Sequence, residues 1–262
     1  MLSKIEVNNI LVKIGFYSTF QNILNHKFPE IDYGKRIGKI RFESFFDANN
    51  KYKFNGEDKT EEYHNWNIIL NDFNSSEEDI LVVCLKIFDW GKVLEGNVKS
   101  AIDLYEKNKL KNYIATIKNL LNSKDMIKIE ECLNQPIYWT SGWTKVYSFL
   151  NPDILIYDSR VSAFLNFLLI KNYPSFNQDQ KEKFNKLSGY LFNFSGAVNR
   201  DRKVSKSFGF KNRHPKGIEG FNANLIASWI IQLCKEKFKL EEEIRSFERA
   251  FFMLGFDLSQ IK

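Results

Sequence analysis

Two residues, Lys145 and Asp158, have the types and placement to do chemistry. The lysine lies on the first turn after a tight segment, Pro136-Ile137-Tyr138-Trp139-Thr140-Ser141-Gly142-Trp143. The aspartate heads an amphipathic run thirteen positions further on. A deprotonated amine can attack an electrophilic carbon and close to an imine. A carboxylate can steady positive charge as it develops. A free lysine, with a pKa of about 10.4, is almost wholly protonated at neutral pH. Lys145 would therefore need desolvation or a neighbouring cation to attack. Tyr138, Trp139, Trp143 and Tyr147 are the nearby aromatics that could wall it off from water. Each residue also has an ordinary role: most lysines are solvated, and an aspartate before an amphipathic run is by default an N-cap.

The elements that must position this pair read as mostly helical. Ile10, Ile14, Tyr17 and Leu24 recur at helical spacing and predict one helix over about 7–25. Lys39–Phe46 and Lys51–Phe54 alternate like two short strands around an Asp47-Ala48-Asn49-Asn50 turn. Ser75-Ser76-Glu77-Glu78 predicts a capping box, with Ser75 and Glu78 its ends, before the apolar run Ile80–Phe88. Further helical faces follow. They are Leu110/Tyr113/Ile114/Ile117/Leu121, a shorter Ile127/Ile129/Cys132/Leu133 stopped by Pro136, and Val161/Phe164/Leu165/Leu168/Leu169. Leu225/Ile226/Trp229/Ile230/Leu233 form another, and Leu240/Ile244/Phe247/Phe251/Leu254 a last one closed by Gly255. The expected fold is mainly α, with a small mixed α/β N-terminal portion.

Within it, helix (about 124–134), hairpin, short helix (Thr144–Leu150), apolar run (Ile154–Tyr157) and long helix follow one another. This layout resembles the helix-hairpin-helix superfamily of DNA glycosylases, and within it the 8-oxoguanine branch. Those enzymes carry a Gly-x-Gly-Thr-Lys-Val hairpin and an apolar run ending in Val-Asp-x-His. Gly142-Trp143-Thr144-Lys145-Val146 and Ile156-Tyr157-Asp158-Ser159-Arg160-Val161 stand in those places. The hairpin here has one glycine where the family usually has two, the Lys145-to-Asp158 interval is a few residues shorter, and Arg160 replaces the frequent histidine. The resemblance covers about residues 124–170. It implies a helical glycosylase domain without an iron–sulfur cluster, in which Lys145 and Asp158 are the catalytic pair. It also implies that Gly142, Trp143 and Thr144 meet the DNA backbone, while Arg160 either clamps a DNA phosphate or pairs with a nearby carboxylate. A duplex with one extruded nucleotide would be the partner, and 8-oxoguanine or a hypermodified phage base the target. Trp90, Trp139 and Trp143 are candidates to stack on the extruded base. A single unit of two packed lobes is expected, with an N-terminal portion of about 1–100, a middle region of about 101–170 and a C-terminal part of about 171–262.

Charge points the same way. Of the 262 residues 38 are Lys or Arg and 32 Asp or Glu, a net +6. The stretch 199–216 holds Arg200, Arg202, Lys203, Lys206, Lys211, Arg213 and Lys216 against Asp201 alone, so it carries a charge equal to that of the whole chain. Such focusing suggests a polyanionic partner. Phe208 and Phe210 set aromatics among these cations, as base contacts often do. His214 lies there too and could touch phosphate. Three scattered cysteines, Cys84, Cys132 and Cys234, build neither a disulfide framework nor a four-cysteine metal site. No metal or cofactor is expected. The early acidic residue Glu6 argues against a signal peptide, and no apolar run nears the roughly 18–20 residues of a membrane span. A cytoplasmic monomer is expected. Two rival readings use the same residues. One is a DNA-binding module in which Lys145 touches phosphate and Asp158 only caps, and the other, ranked lower for want of a magnesium-holding acidic pair, is a nuclease.

Overall fold

Ser3 opens the chain's first helix with a reciprocal cap, its hydroxyl accepting from the Glu6 amide while the Glu6 carboxylate accepts from the Ser3 amide. The computed structural model describes residues 1–262 except 36, 53–59, 94, 132–135, 196–199, 206–207 and 262. Helix α1 (Lys4–Lys13) stops before Gly15, whose φ of 68° lies in the left-handed region, and α2 (Phe16–Leu24) starts immediately after. The single helix expected over 7–25 is therefore two. A residue without Cβ turns the chain at low cost, so Val7, Ile10 and Leu11 of one helix and Phe16, Phe20 and Ile23 of the next all reach the core.

Strand β2 (Lys39–Phe42) pairs antiparallel with an upstream strand, β1 (Phe28–Asp32), in the register Phe28 to Phe42 and Ile31 to Ile40. The expected downstream partner at 51–54 is not what β2 pairs with. Lys51 caps the C-terminus of a helix, Tyr52 follows it, and positions 53 and 54 lie outside the described residues. The expected turn at Asp47–Asn50 is instead helix α3 (Phe45–Asn50), capped by Ser44 on the Asp47 amide. Phe45 and Ala48, one helical turn apart, are both fully buried, and that burial outweighs the local alternation.

Helices α4 (Thr60–Asn71), α5 (Glu77–Trp90), α6 (Glu95–Glu106), α7 (Leu110–Leu121) and α8 (Met126–Glu131) follow. The box that starts α5 is Ser76 with Asp79, one position later than Ser75 with Glu78. Ser75 instead donates its hydroxyl to the Ile69 carbonyl at 2.7 Å. Cys132 and Leu133, expected in α8, lie outside the described residues. The C-terminal half supplies α9 (Trp143–Leu150), α10 (Ser159–Ile170), α11 (Gln178–Ser188), α12 (Gly217–Phe238) and α13 (Ile244–Leu254). Leu240, read as part of the last helix, precedes it, because Lys239 takes φ 51° and ends α12.

The protein is mainly helical, with one two-stranded sheet among the described residues. Helix α12 is buried along much of its length and meets α1, α2 and α13, while α13 also packs on α3 and α10. Phe20, Phe45, Phe164, Phe247 and Phe251 join those helices ring to ring. A second aromatic group, Tyr63, Trp66, Trp90 and Phe149, ties α4 and α5 to α9. Among the described residues no helix is long and apolar enough to cross a membrane.

Candidate active site

The short stretch Ile154–Tyr157 between α9 and α10 is buried and belongs to no helix or strand among the described residues. Its polar backbone must therefore find side chains. The Leu155 amide donates to Ser228 Oγ (3.2 Å), the Ile156 amide to Glu248 Oε2 (2.7 Å) and the Tyr157 amide to Thr144 Oγ1 (3.1 Å). The Leu155 carbonyl accepts from Asn224 Nδ2 at 2.9 Å, and the Thr144 hydroxyl donates to Asn224 Oδ1. Side chains of α9, α12 and α13 thus stand in for neighbouring strands and fix where α10 begins relative to α9.

Asp158 is the N-cap of α10, its Oδ1 accepting from the Arg160 amide at 2.9 Å and the Val161 amide at 3.0 Å. Lys145, in the first turn of α9, donates Nζ to the Ser141 carbonyl at 2.7 Å. Both residues line one cavity of about 500 Å³, together with Trp90, Trp139, Tyr157, Arg160, Arg202, His214 and Glu248. Burial pushes the Lys145 amine below the usual lysine range. The Asp158 and Glu248 carboxylates oppose that shift and Arg245 adds to it. Lys145 is half-buried in this wall.

The lysine's path is set by Gly91, which follows the C-terminus of α5. A Cβ at position 91 would lie 2.5 Å from Lys145 Cδ and 2.6 Å from Cε. Ala at 91 must push the lysine stem aside, a flexible group, so the fold should absorb the change. Gly91→Ala is accordingly expected to keep Tm within a few degrees while lowering any Lys145-dependent rate by about tenfold or more. A variant with wild-type activity would show that the stem can move without consequence.

The other candidate residues divide into groups. Trp139 lines the cavity at 6% exposure, and its Nε1 is buried without a hydrogen-bond partner among the described residues. Trp90 lines it as well. Trp143 does not: it is fully buried, donates Nε1 to Ser100 Oγ at 2.8 Å and packs on Phe88, Tyr113 and Tyr138. Gly142 is buried against Asn97, and Thr144 is fully buried in the network described above. None of the three presents a free surface to a DNA backbone, which corrects the expectation that they meet it. The Thr140 hydroxyl accepts from the Gly142 and Trp143 amides at the head of α9, the helix that carries Lys145.

The basic stretch is likewise not one continuous face. Arg202 is only 5% exposed, donates Nε to the Phe256 carbonyl (3.0 Å) and Nη1 to Ser159 Oγ (3.1 Å), and belongs to the cavity wall. Lys211 and Arg213 both pair with Glu219, at 3.0 and 2.6 Å. Arg200 lies over the Phe256 ring at 4.7 Å, with Asp257 3.8 Å away. Lys203 and Lys216 are exposed, and Lys206 lies outside the described residues. Phe208 packs on Tyr173 and Phe210 on Phe184, so these two phenylalanines anchor their loop and do not line the cavity. Arg160 does line it, its guanidinium 4.0 Å from the Phe252 ring centroid and 4.9 Å from that of Phe256.

Sequence reasoning missed Glu248. It is 7% exposed, lines the cavity and is gripped by Arg245 Nη1 at 3.0 and 3.2 Å. Its signal was present: position 248 falls one turn after Ile244 and one before Phe251, a carboxylate on an otherwise apolar stripe. Comparison of the chain with family models, with curated proteins and with solved structures finds no match.

Proposed function

We propose that this chain is a DNA glycosylase that extrudes one nucleotide from a duplex and excises its base, using Lys145 as nucleophile and Asp158 as electrostatic stabiliser. The observation that carries the reading is that these two residues line one cavity, with the amine pushed toward its neutral form by burial. A volume of about 500 Å³ lies within the range of small-molecule sites.

In this reading the Lys145 amine attacks C1′ of the extruded nucleotide. The N–C1′ glycosidic bond breaks, and its electron pair leaves with the base, which takes up a proton. Asp158 steadies the positive charge that builds on the sugar as the base departs. Loss of a proton from the captured amine and opening of the sugar give an imine between Nζ and C1′, the species from which strand cleavage can follow. The Ser141 carbonyl, which now holds Nζ, keeps the amine in place until a sugar arrives. The resemblance of residues 124–170 to the helix-hairpin-helix superfamily makes 8-oxoguanine the reference target, with a hypermodified phage base the alternative.

Incubating the full chain with duplexes that each carry one modified base tests the proposal, read for free base, abasic sites and borohydride-trapped adduct. Release of at least one base, with a trapped adduct, is expected. Duplex binding across a broad panel with no release would make the chain a binding module instead.

A further inference from the structure

The walls of the cavity carry more positive charge than a neutral nucleobase would require. Lys92, Arg160, Arg202 and Lys216, leaving aside the Lys145 amine that burial pushes toward neutrality, line the same space as two carboxylates, Asp158 and Glu248. Both carboxylates already have partners. Glu248 accepts from Arg245 and from the Ile156 amide, and Asp158 Oδ1 accepts from two amides at the head of α10. Arg202 is buried at 5% exposure, and Arg160 is half-buried with its guanidinium against the Phe252 and Phe256 rings. Burial pushes Arg160 down to about 10; Asp158 opposes that shift and the neighbouring Arg202 adds to it.

Guanidinium groups stacked on rings keep their N–H donors in the plane of the fork, the geometry that meets an oxyanion with two parallel bonds. Arg202 uses Nε and Nη1 on Phe256 and Ser159, two of its five N–H donors. Asp158 attracts both guanidinium groups and Asp257 attracts Arg202, and an anion entering the cavity adds to that pairing. Because Arg202 sits in the cavity wall and not on the outer surface, a passing backbone phosphate does not satisfy it. An anion that meets Arg202 has to enter the cavity.

We infer that the cavity recognises an oxyanion carried by its occupant, with Arg160 and Arg202 as the groups that bind it. On the glycosylase reading, on which this rests, the anion belongs to the extruded nucleotide, either as a carboxylate on its base or as its own phosphate. In both cases an uncharged nucleoside is a poor ligand and a charged one a good one.

Isothermal titration calorimetry of the full chain at low salt and neutral pH separates these cases with three probes: 2′-deoxycytidine, 2′-deoxycytidine 5′-monophosphate and 5-carboxy-2′-deoxycytidine. At least one anionic probe should bind about tenfold or more tighter than the neutral nucleoside. Preference for the carboxylated probe alone assigns the anion to the base, and preference for the monophosphate alone assigns it to the phosphate. Arg202→Gln and, separately, Arg160→Gln should each reduce that preference by about tenfold. If Arg202→Gln fails to fold, Arg160→Gln and the wild-type series still decide the matter. Equal binding of all three probes, no binding of either anion at millimolar concentration, or a preference unchanged in a folded arginine variant would overturn the inference. No bond breaks in this experiment, so its failure leaves the glycosylase reading to be judged by base release alone.

Discussion

Lys145→Gln should erase the borohydride-trapped adduct and lower base release by about 10³-fold or more, the scale on which removal of a catalytic nucleophile usually acts. Glutamine offers an amide nitrogen without an available lone pair, so no imine can form. Its aliphatic stem still fits over Gly91, and duplex binding should persist. The wild-type rate carries a second signature. Only the neutral amine attacks, and burial favours that form, so imine formation should rise with pH as the amine deprotonates. It should then level off below the usual lysine value of about 10.4. A single-turnover pH profile of adduct formation measures this. Full-rate excision by Lys145→Gln would make water the nucleophile and reduce Lys145 to positioning.

Asp158→Asn separates capping from chemistry. Asparagine and aspartate rank alike as N-caps, so the bonds from the Arg160 and Val161 amides should survive and the protein should stay folded. The lost charge is what would steady a sugar cation. Excision should fall by about 10²–10³-fold, as when one preorganised electrostatic contact is removed. Thermal unfolding monitors the cap while single-turnover release monitors the chemistry. Unchanged release from a folded variant would leave Asp158 as a cap and nothing more.

What could be read from the sequence was whatever depends on local spacing. The apolar stripes of α7 and α13 lie where periodicity puts them, since each of these helices has one face to bury, and that of α10 lies in a helix buried nearly all round. The mainly helical class follows from those stripes. Asp158 was legible as a cap for the same local reason. The break at Gly15 was not: the residues on both sides keep a helical spacing, and only the left-handed turn shows that they are two helices. The helix at Phe45–Asn50 was misread because its burial comes from α13, two hundred residues away. In the cavity wall, the lysine and aspartate were singled out from their flanking strings. The burial of Arg202 and Thr144 was not, because charge and hydroxyl content say nothing of depth until distant helices close over them. Glu248 was overlooked on an apolar stripe, where a carboxylate is itself the clue.

The polar side chains that hold the Ile154–Tyr157 stretch have a consequence for synthesis. Thr144 precedes that stretch, but Asn224, Ser228 and Glu248 all follow it by some seventy positions or more. Arg202, Phe252 and the carbonyl of Phe256 are also late. A nascent chain leaving the ribosome from its N-terminus therefore carries Lys145 and Asp158 for some time with neither one in a pocket. During that interval the lysine remains solvated, largely protonated and unreactive. If Lys145 is the nucleophile proposed above, its reactive form arises only when the last helices dock, and translation order would then keep the unfinished chain from attacking nucleic acid around it.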